Sequence, residues 1–224
     1  MAAVSAERPS GRGLATARGG AGTLRERKRE RTRRAIVDAG FDLFEARGYD
    51  ETTIADIAEA AEIGARTFFS YFASKEELLF PEKDSRVAAA VEAIATRRPG
   101  ERPTDVLLRA LRGVEAAAST GSDGMVGRES TIRMNLIRTV PAVRGRSLQN
   151  QLEAQREIAA HLHAAFPDEL DAVAAGALVG AFIGAVGGAL DALLGDAPGA
   201  VDQADAARAF QSAVDVALRP WTER

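Results

Sequence analysis

Four side chains within one octapeptide are of the types that read an ordered array of hydrogen-bonding edges. In residues 65–72, Ala65, Arg66, Phe69 and Ser70 fall on one helical arc, while Phe68 and Phe72 fall on the arc behind it. A guanidinium offers two parallel donors that match guanine O6 and N7, so Arg66 is the candidate for reading a base edge. Thr53, Thr67, Tyr71 and Lys75 carry hydroxyls and an ammonium suited to phosphate oxygens, contacts that fix register without carrying sequence information. Plainer readings stand beside these. Thr53 is also a helix N-cap, Tyr71 a core residue with its hydroxyl at the rim, and Lys75 a solvated charge. Phe69 has no reason to be exposed unless a sugar, a thymine methyl or a neighbouring helix covers it.

Such side chains must be carried on a short helix braced from behind. Ile36, Ala39, Gly40, Leu43 and Phe44 recur at helical spacing, and Arg47-Gly48 ends the pattern with a cation and a residue free to adopt positive φ. Thr53 then opens a second helix with Ile54, Ile57, Ala58 and Ala61 on one face. A break at Glu62-Ile63-Gly64 leads into residues 65–72, too short to be stable alone. Two short helices joined by a tight turn behind a longer one form a helix-turn-helix. Ile36, Leu43, Phe44, Tyr49, Ile54, Ile57, Ala58, Ile63, Phe68 and Phe72 supply its apolar underside.

Further along, Ser74 and Glu77 form a capping-box pattern opening a helix expected to run to Arg98. Helices follow over 104–118, from 123 or 124 to 139, 141–166, 169–194 and 202–219, punctuated by Pro99-Gly100, Pro141, Pro167 and Pro220. No strand-like alternation of useful length interrupts them. The expected fold is all-α, with about nine helices. It comprises a basic arm over 1–23, a three-helix helix-turn-helix domain over 24–73 and a helical domain over 74–224.

Composition narrows the function. The 224 residues are 46% apolar but only 5% aromatic, and Ala, the best helix former, is abundant. No cysteine is present, which excludes disulfides and Cys-ligated zinc. His161 and His163 do not share a helical face, so no metal or cofactor is expected. No phosphate-cradling glycine loop or nucleophile elbow appears, so the reading is not an enzyme. The net charge of −3 hides an asymmetry: ten Arg and Lys against three Glu in residues 1–34 give +7, leaving −10 for the remainder. One basic end on an acidic body suits a protein that presents that end to phosphates. No secretory signal is visible, and a cytoplasmic location is expected.

The run Arg34-Ala35-Ile36-Val37-Asp38-Ala39, with Leu43-Phe44, Gly48-Tyr49, Thr52-Thr53-Ile54, Ile57-Ala58, Thr67-Phe68-Phe69-Ser70-Tyr71-Phe72, Ser74-Lys75 and Leu78, resembles the N-terminal domain of the TetR family of transcriptional regulators. The resemblance covers about residues 30–80. It implies a three-helix DNA-binding domain, a helical domain that binds ligand and dimerises, and repression relieved by a small molecule. It also implies that Thr53, Thr67, Tyr71 and Lys75 contact phosphates and that Ala65, Arg66, Phe69 and Ser70 face bases. The string 67–72 further resembles mycofactocin-type regulators, a subgroup responding to acyl-CoA. Three departures stand out. Glu62-Ile63-Gly64 replaces the usual Gly-Val-Ser, at a cost of about 1 kcal/mol if residue 62 needs positive φ. Gly64 replaces a hydroxyl cap, and Phe69 replaces a common Tyr.

In the C-terminal half, residues 172–190 carry no charge and approach the length of a membrane span. Their Ala and Gly content, acidic flanks and lack of a basic anchor argue against insertion. Gly176, Gly180, Gly184 and Gly188 instead offer a shallow groove for another helix, which with Phe182 makes a candidate homodimer interface, or packing within one chain. One short probe contacts too few bases for selectivity, so two linked copies and a near-palindromic operator in double-stranded DNA are expected. A largely apolar small-molecule effector would lie among helices from 104 to 166. Met125, Met134, Leu136, Ile137, Leu148, Leu152, Ile158 and Leu162 are its candidate contacts, with ordinary core the plainer reading of each. The competing function is architectural, sequence-independent DNA binding through the basic arm.

Overall fold

The computed structural model describes residues 23–80, 83–119, 127–195 and positions 208, 209, 211, 212, 214–216 and 219. Met125, the basic arm up to residue 22 and most of the helix expected over 202–219 lie outside these. Among the described residues the chain is all-helical. The elements are α1 (Leu24–Arg47), α2 (Ile54–Ala60), α3 (Ala65–Phe68), α4 (Lys75–Leu78), α5 (Lys83–Ala95), α6 (Pro103–Ser119), α7 (Arg128–Thr139), α8 (Pro141–Ala165) and α9 (Ala172–Gly195).

Local chemistry explains most boundaries. Thr23 and Glu26 close a reciprocal capping box at the start of α1, and Thr53 and Asp56 do the same for α2. Gly48, at φ 89°, ends α1 with its N–H on the Phe44 carbonyl. Pro141 occupies the first turn of α8, where its missing N–H costs nothing. The helix expected from residue 104 begins one residue earlier, at Pro103, and the buried Thr104 hydroxyl lacks a partner.

Two expected helices are shorter than their patterns suggest. Beyond Phe68 the chain tightens, with Ser70 N–H on the Thr67 carbonyl and Tyr71 N–H on that of Phe68. The Ser70 hydroxyl also donates to Thr67 O at 2.6 Å, taking up a carbonyl that an α-helix would use one residue further on. Likewise the single helix expected over 74–98 is α4 and α5. Leu79 and Phe80 bond three residues back, and Pro81, which disfavours helical φ/ψ at Phe80, follows.

Burial divides the chain into two cores. The first gathers Ile36, Val37, Phe41 and Phe44 of α1, Tyr49, Ile57, Phe68, Phe72, and Leu78 and Leu79 at α4, and is completed by Leu136 of α7 and Val143 of α8. Leu78 and Leu79 therefore pack with the helix-turn-helix body. At Gly40 an added Cβ would lie 2.7 and 2.9 Å from the Leu78 methyls, so glycine lets α4 seat against α1. The second core joins α5, α6, α8 and α9 through residues such as Ile94, Leu107, Leu162, Leu178 and Val179. Polar links tie α7 and α8 to the first body. Arg128 reaches Asp42 at 2.8 Å and Glu45 at 2.6 Å, Arg146 reaches Glu77 at 3.4 Å, and Arg133 Nε donates to Leu79 O at 2.6 Å.

Glu62 adopts φ 54°, the one positive value at a non-glycine residue among the described residues. The turn between α2 and α3 thus holds a side chain where the backbone favours glycine. Glu62→Gly should raise the unfolding free energy by about 1 kcal/mol, whereas Glu62→Ala should not, as read by urea denaturation. At the α5–α6 turn, hydrogen bonds from Arg109 and from the Arg98 N–H hold the Glu101 carboxyl down to about 2 from an ordinary 4.5. A depressed carboxyl contributes stability that is whole above its unfolded value and vanishes as pH falls through the folded one. Melting temperature should therefore drop as pH falls from 4.5 towards 2, and Glu101→Gln should flatten that part of the profile.

Candidate nucleic-acid interface and ligand cavity

The probe segment is built by burying its back. Phe68 and Phe72 are inside the first core, their ring centroids 5.8 Å apart, while Ala65, Arg66, Thr67, Phe69 and Ser70 are exposed. Removing each phenyl ring from water contributes roughly 1.5–3 kcal/mol, enough to hold four helical residues that could not stand alone. Gly64 caps α3 with extended backbone and no side-chain hydrogen bond. Phe69 is 57% exposed and meets Phe68 edge-on at 5.6 Å, so it stands at the rim of the core, not in it.

The residues expected to meet phosphates divide. Thr67 is exposed, and Tyr71 is half-buried beneath the Arg29 guanidinium, which lies 5.7 Å from its ring centroid. Thr53 is exposed but occupied: its hydroxyl donates to Asp56 at 2.6 Å and accepts the Asp56 N–H at 3.2 Å. Those bonds from Thr53 hold the Asp56 carboxyl below its usual range. Lys75 faces inward. Its ammonium donates to the carbonyls of Tyr49 at 2.6 Å and Thr52 at 2.8 Å, and lies 4.0 Å from the Tyr49 ring centroid. The neighbouring Glu76 accepts from the Tyr49 hydroxyl at 2.6 Å. Burial pushes the Tyr49 phenol up and that carboxylate pushes it further. This pair therefore clamps the turn that delivers Thr53 to α2, a role invisible in sequence because the partners lie 23 to 27 residues apart.

Sequence reasoning also passed over Arg29 and Arg33 as site residues. They are one helical turn apart on α1, and Arg33 lies 4.9 Å from the Phe72 ring centroid. Their i, i+4 spacing within the basic segment was the available signal. A cluster of positive charge thus stands beside the probe.

In the C-terminal half a cavity of about 300 Å³ opens between α5, α6, α8 and α9. Of the expected contacts among the described residues, only Ile158 lines it. Leu136 and Ile137 pack in the first body, Leu162 is fully buried in the second core, Leu148 and Leu152 are exposed, and half-buried Met134 is not in the lining. The reason is helical phase. Asn150, Gln151, Ala154 and Ile158 share the inner arc of α8, and Leu148 and Leu152 fall on its outer side.

The glycine stripe also splits. An added Cβ at Gly180 would meet Gln155 Nε2 of α8 at 2.7 Å, and the Gly176 carbonyl accepts from the same amide at 3.4 Å. Phe182 is buried and lines the cavity, contrary to an interface role. Gly184 and Gly188 are exposed with open space around them. A four-residue period overshoots the helical turn by about 40° each time, so the stripe rotates off α8 by Gly188.

Residues 36–80 match the family described as bacterial regulatory proteins, tetR family. TcmR of Streptomyces glaucescens, named an HTH-type transcriptional regulator, is 34% identical over 137 residues, which are 61% of each chain. MftR of Mycobacterium tuberculosis, whose name concerns regulation of mycofactocin biosynthesis, is 37% identical over 62 residues, 28% of this chain and 31% of that one. The chain thus matches about three fifths or less of the length of these curated relatives. Among solved structures, Thermus thermophilus FadR, a TetR-family repressor in complex with lauroyl-CoA, is similar in fold at a TM-score of 0.51. It is 22% identical, covering 83% of this chain and 93% of that one.

Lys75→Met keeps the aliphatic stem and removes both charged hydrogen bonds. It should cost about 2 kcal/mol or more in urea denaturation.

Proposed function

We propose that this chain is a ligand-responsive transcriptional repressor that binds a near-palindromic operator as a homodimer and releases it when a small, largely apolar molecule occupies the cavity. One observation carries the reading: the face of α3 turned away from the core is uncovered, while its back is locked by Phe68 and Phe72. Arg66 reads a base edge, with Ala65, Phe69 and Ser70 completing the contact surface. Thr53, Thr67 and Tyr71 meet phosphates, with Arg29 adding positive charge beside Tyr71. Lys75 acts on DNA indirectly, by fixing the turn before Thr53.

Support for a second copy comes from α9. By length and composition Ala172–Leu193 passes for a membrane span, yet only 22% of its most apolar window is buried within the chain. In the proposal the exposed side around Gly184 and Gly188 is covered by the same helix of a partner, and the protein acts on DNA in the cytoplasm. The cavity supports ligand control, and the lauroyl-CoA bound to the Thermus protein is a precedent for a ligand with an apolar chain in this fold. In the proposal, effector binding shifts α4 and changes the separation of paired probes.

Architectural binding is the competing reading, favoured by the net charge of +5 that residues 24–34 carry. Selecting genomic fragments with the purified chain separates the two. A recovered inverted repeat, a dimer in sedimentation and a preference that persists at raised salt support the repressor. Sequence-blind binding with a steep salt slope supports the alternative. Arg66→Ala should lose about 1–3 kcal/mol of discrimination at one base pair per half-site. Equal losses on operator and random DNA would remove Arg66 from base reading.

A further inference from the structure

The cavity wall holds a buried amide with an unmet acceptor. Asn150, on the inner arc of α8, lines the cavity and is 8% exposed, and its Oδ1 accepts no hydrogen bond. Leaving such an acceptor unpaired costs the desolvation of the group with nothing gained in exchange. Its surroundings are apolar. Ala154 and Ile158 continue the same arc of α8, and Val87, Leu111 and Phe182 close the wall from α5, α6 and α9. Arg86 and Arg133 also line the cavity, but both are engaged within the chain, Leu79 O being among the partners of Arg133. The unmet need lies at Asn150. An apolar body that fills this space also shuts water out, so the missing bond can then come only from the ligand.

We propose that the effector is a neutral, apolar molecule carrying a hydroxyl, and that Asn150 selects it by accepting the hydroxyl hydrogen through Oδ1. This rests on the repressor reading and specifies the ligand class of its cavity. The terminal torsion of asparagine is broad and two-fold, so the amide can turn its oxygen towards a donor at little cost. A hydroxyl both donates and accepts, so it can meet either end of the amide. An ether of the same shape brings only an acceptor and leaves Oδ1 unpaired. A carboxylate does the same and must also shed its water among apolar side chains. An ammonium can donate, but its desolvation there exceeds the gain from one amide oxygen. A site built to bond a hydroxyl rejects the analogue lacking it more strongly than an apolar wall discriminates by shape, because the buried acceptor is left without a partner.

The test uses the full chain and two probe scaffolds, one flat and one extended: β-naphthol with its methyl ether, and decanol with its methyl ether. Binding is read by calorimetry without DNA. On at least one scaffold the alcohol should bind about tenfold or more tightly than its ether. The matching acids, β-naphthoate and decanoate, and decylamine should bind more weakly than the alcohols. Asn150→Leu, similar in volume, should bring alcohol and ether within about twofold of each other, chiefly by weakening the alcohol. Failure of both alcohols to bind, equal affinity of alcohol and ether, or an acid or amine that matches the alcohol would overturn the ligand class. These comparisons are made in the unaltered chain, so they decide the class even if Asn150→Leu folds poorly. A preference that survives in a folded Asn150→Leu would remove Asn150 as its source. None of these readings involves DNA. A chain that prefers the alcohol through Asn150 but selects no operator would sink the repressor reading and leave the site standing, and one that selects an inverted repeat but binds neither alcohol would do the reverse.

Discussion

The burial of Phe68 and Phe72 behind a four-residue helix is the constraint on which the rest depends. A single turn of helix pays nearly the full nucleation cost and gains few hydrogen bonds, so α3 exists only because apolar packing fixes it. The core that does so is not local. It draws on α1, α2 and α4, and its last walls, Leu136 and Val143, come from α7 and α8. The surface that faces outward is therefore rigid for reasons that lie in the other half of the chain.

That dependence also bears on the proposed control by ligand. The first body is closed by residues of the helices that frame the cavity, and the attachments lie at the same junction. Arg128 joins α7 to α1, Arg133 joins α7 to Leu79, and Arg146 joins α8 to Glu77. Exposed ion pairs such as Arg128 with Asp42 and Glu45 contribute little stability. The half-buried guanidinium bond from Arg133 to the Leu79 carbonyl is a sharper link, because it either forms or does not. Short α4, bounded by Ser74 and the break before α5, is small enough to shift without dismantling either core.

Much of the probe was legible in sequence because its signals are local. Thr53 with Asp56, Gly48 after Arg47, and the spacing of Phe68 and Phe72 all act within one or two helical turns. The strain at Glu62 was foreshadowed only through the resemblance, which puts glycine at that position. Lys75 was not. Its inward path rests on the Tyr49 and Thr52 carbonyls, brought near only by folding. The cavity was hardest. Helical patterns reveal that a face is apolar but not which neighbour covers it, so Leu136 went to the first body and Leu152 to the surface.

By itself, then, the sequence determined the helical class, the helix-turn-helix and which side of residues 65–72 turns outward, because hydrophobic period, caps and turn residues are short-range physics. Only the tertiary structure decided where the long helices meet, that Gly180 packs on Gln155 while Gly184 and Gly188 stay open, and that Arg133 spans cavity and α4. Those outcomes depend on the relative rotation and placement of helices far apart in the chain, and no pattern within one helix encodes them.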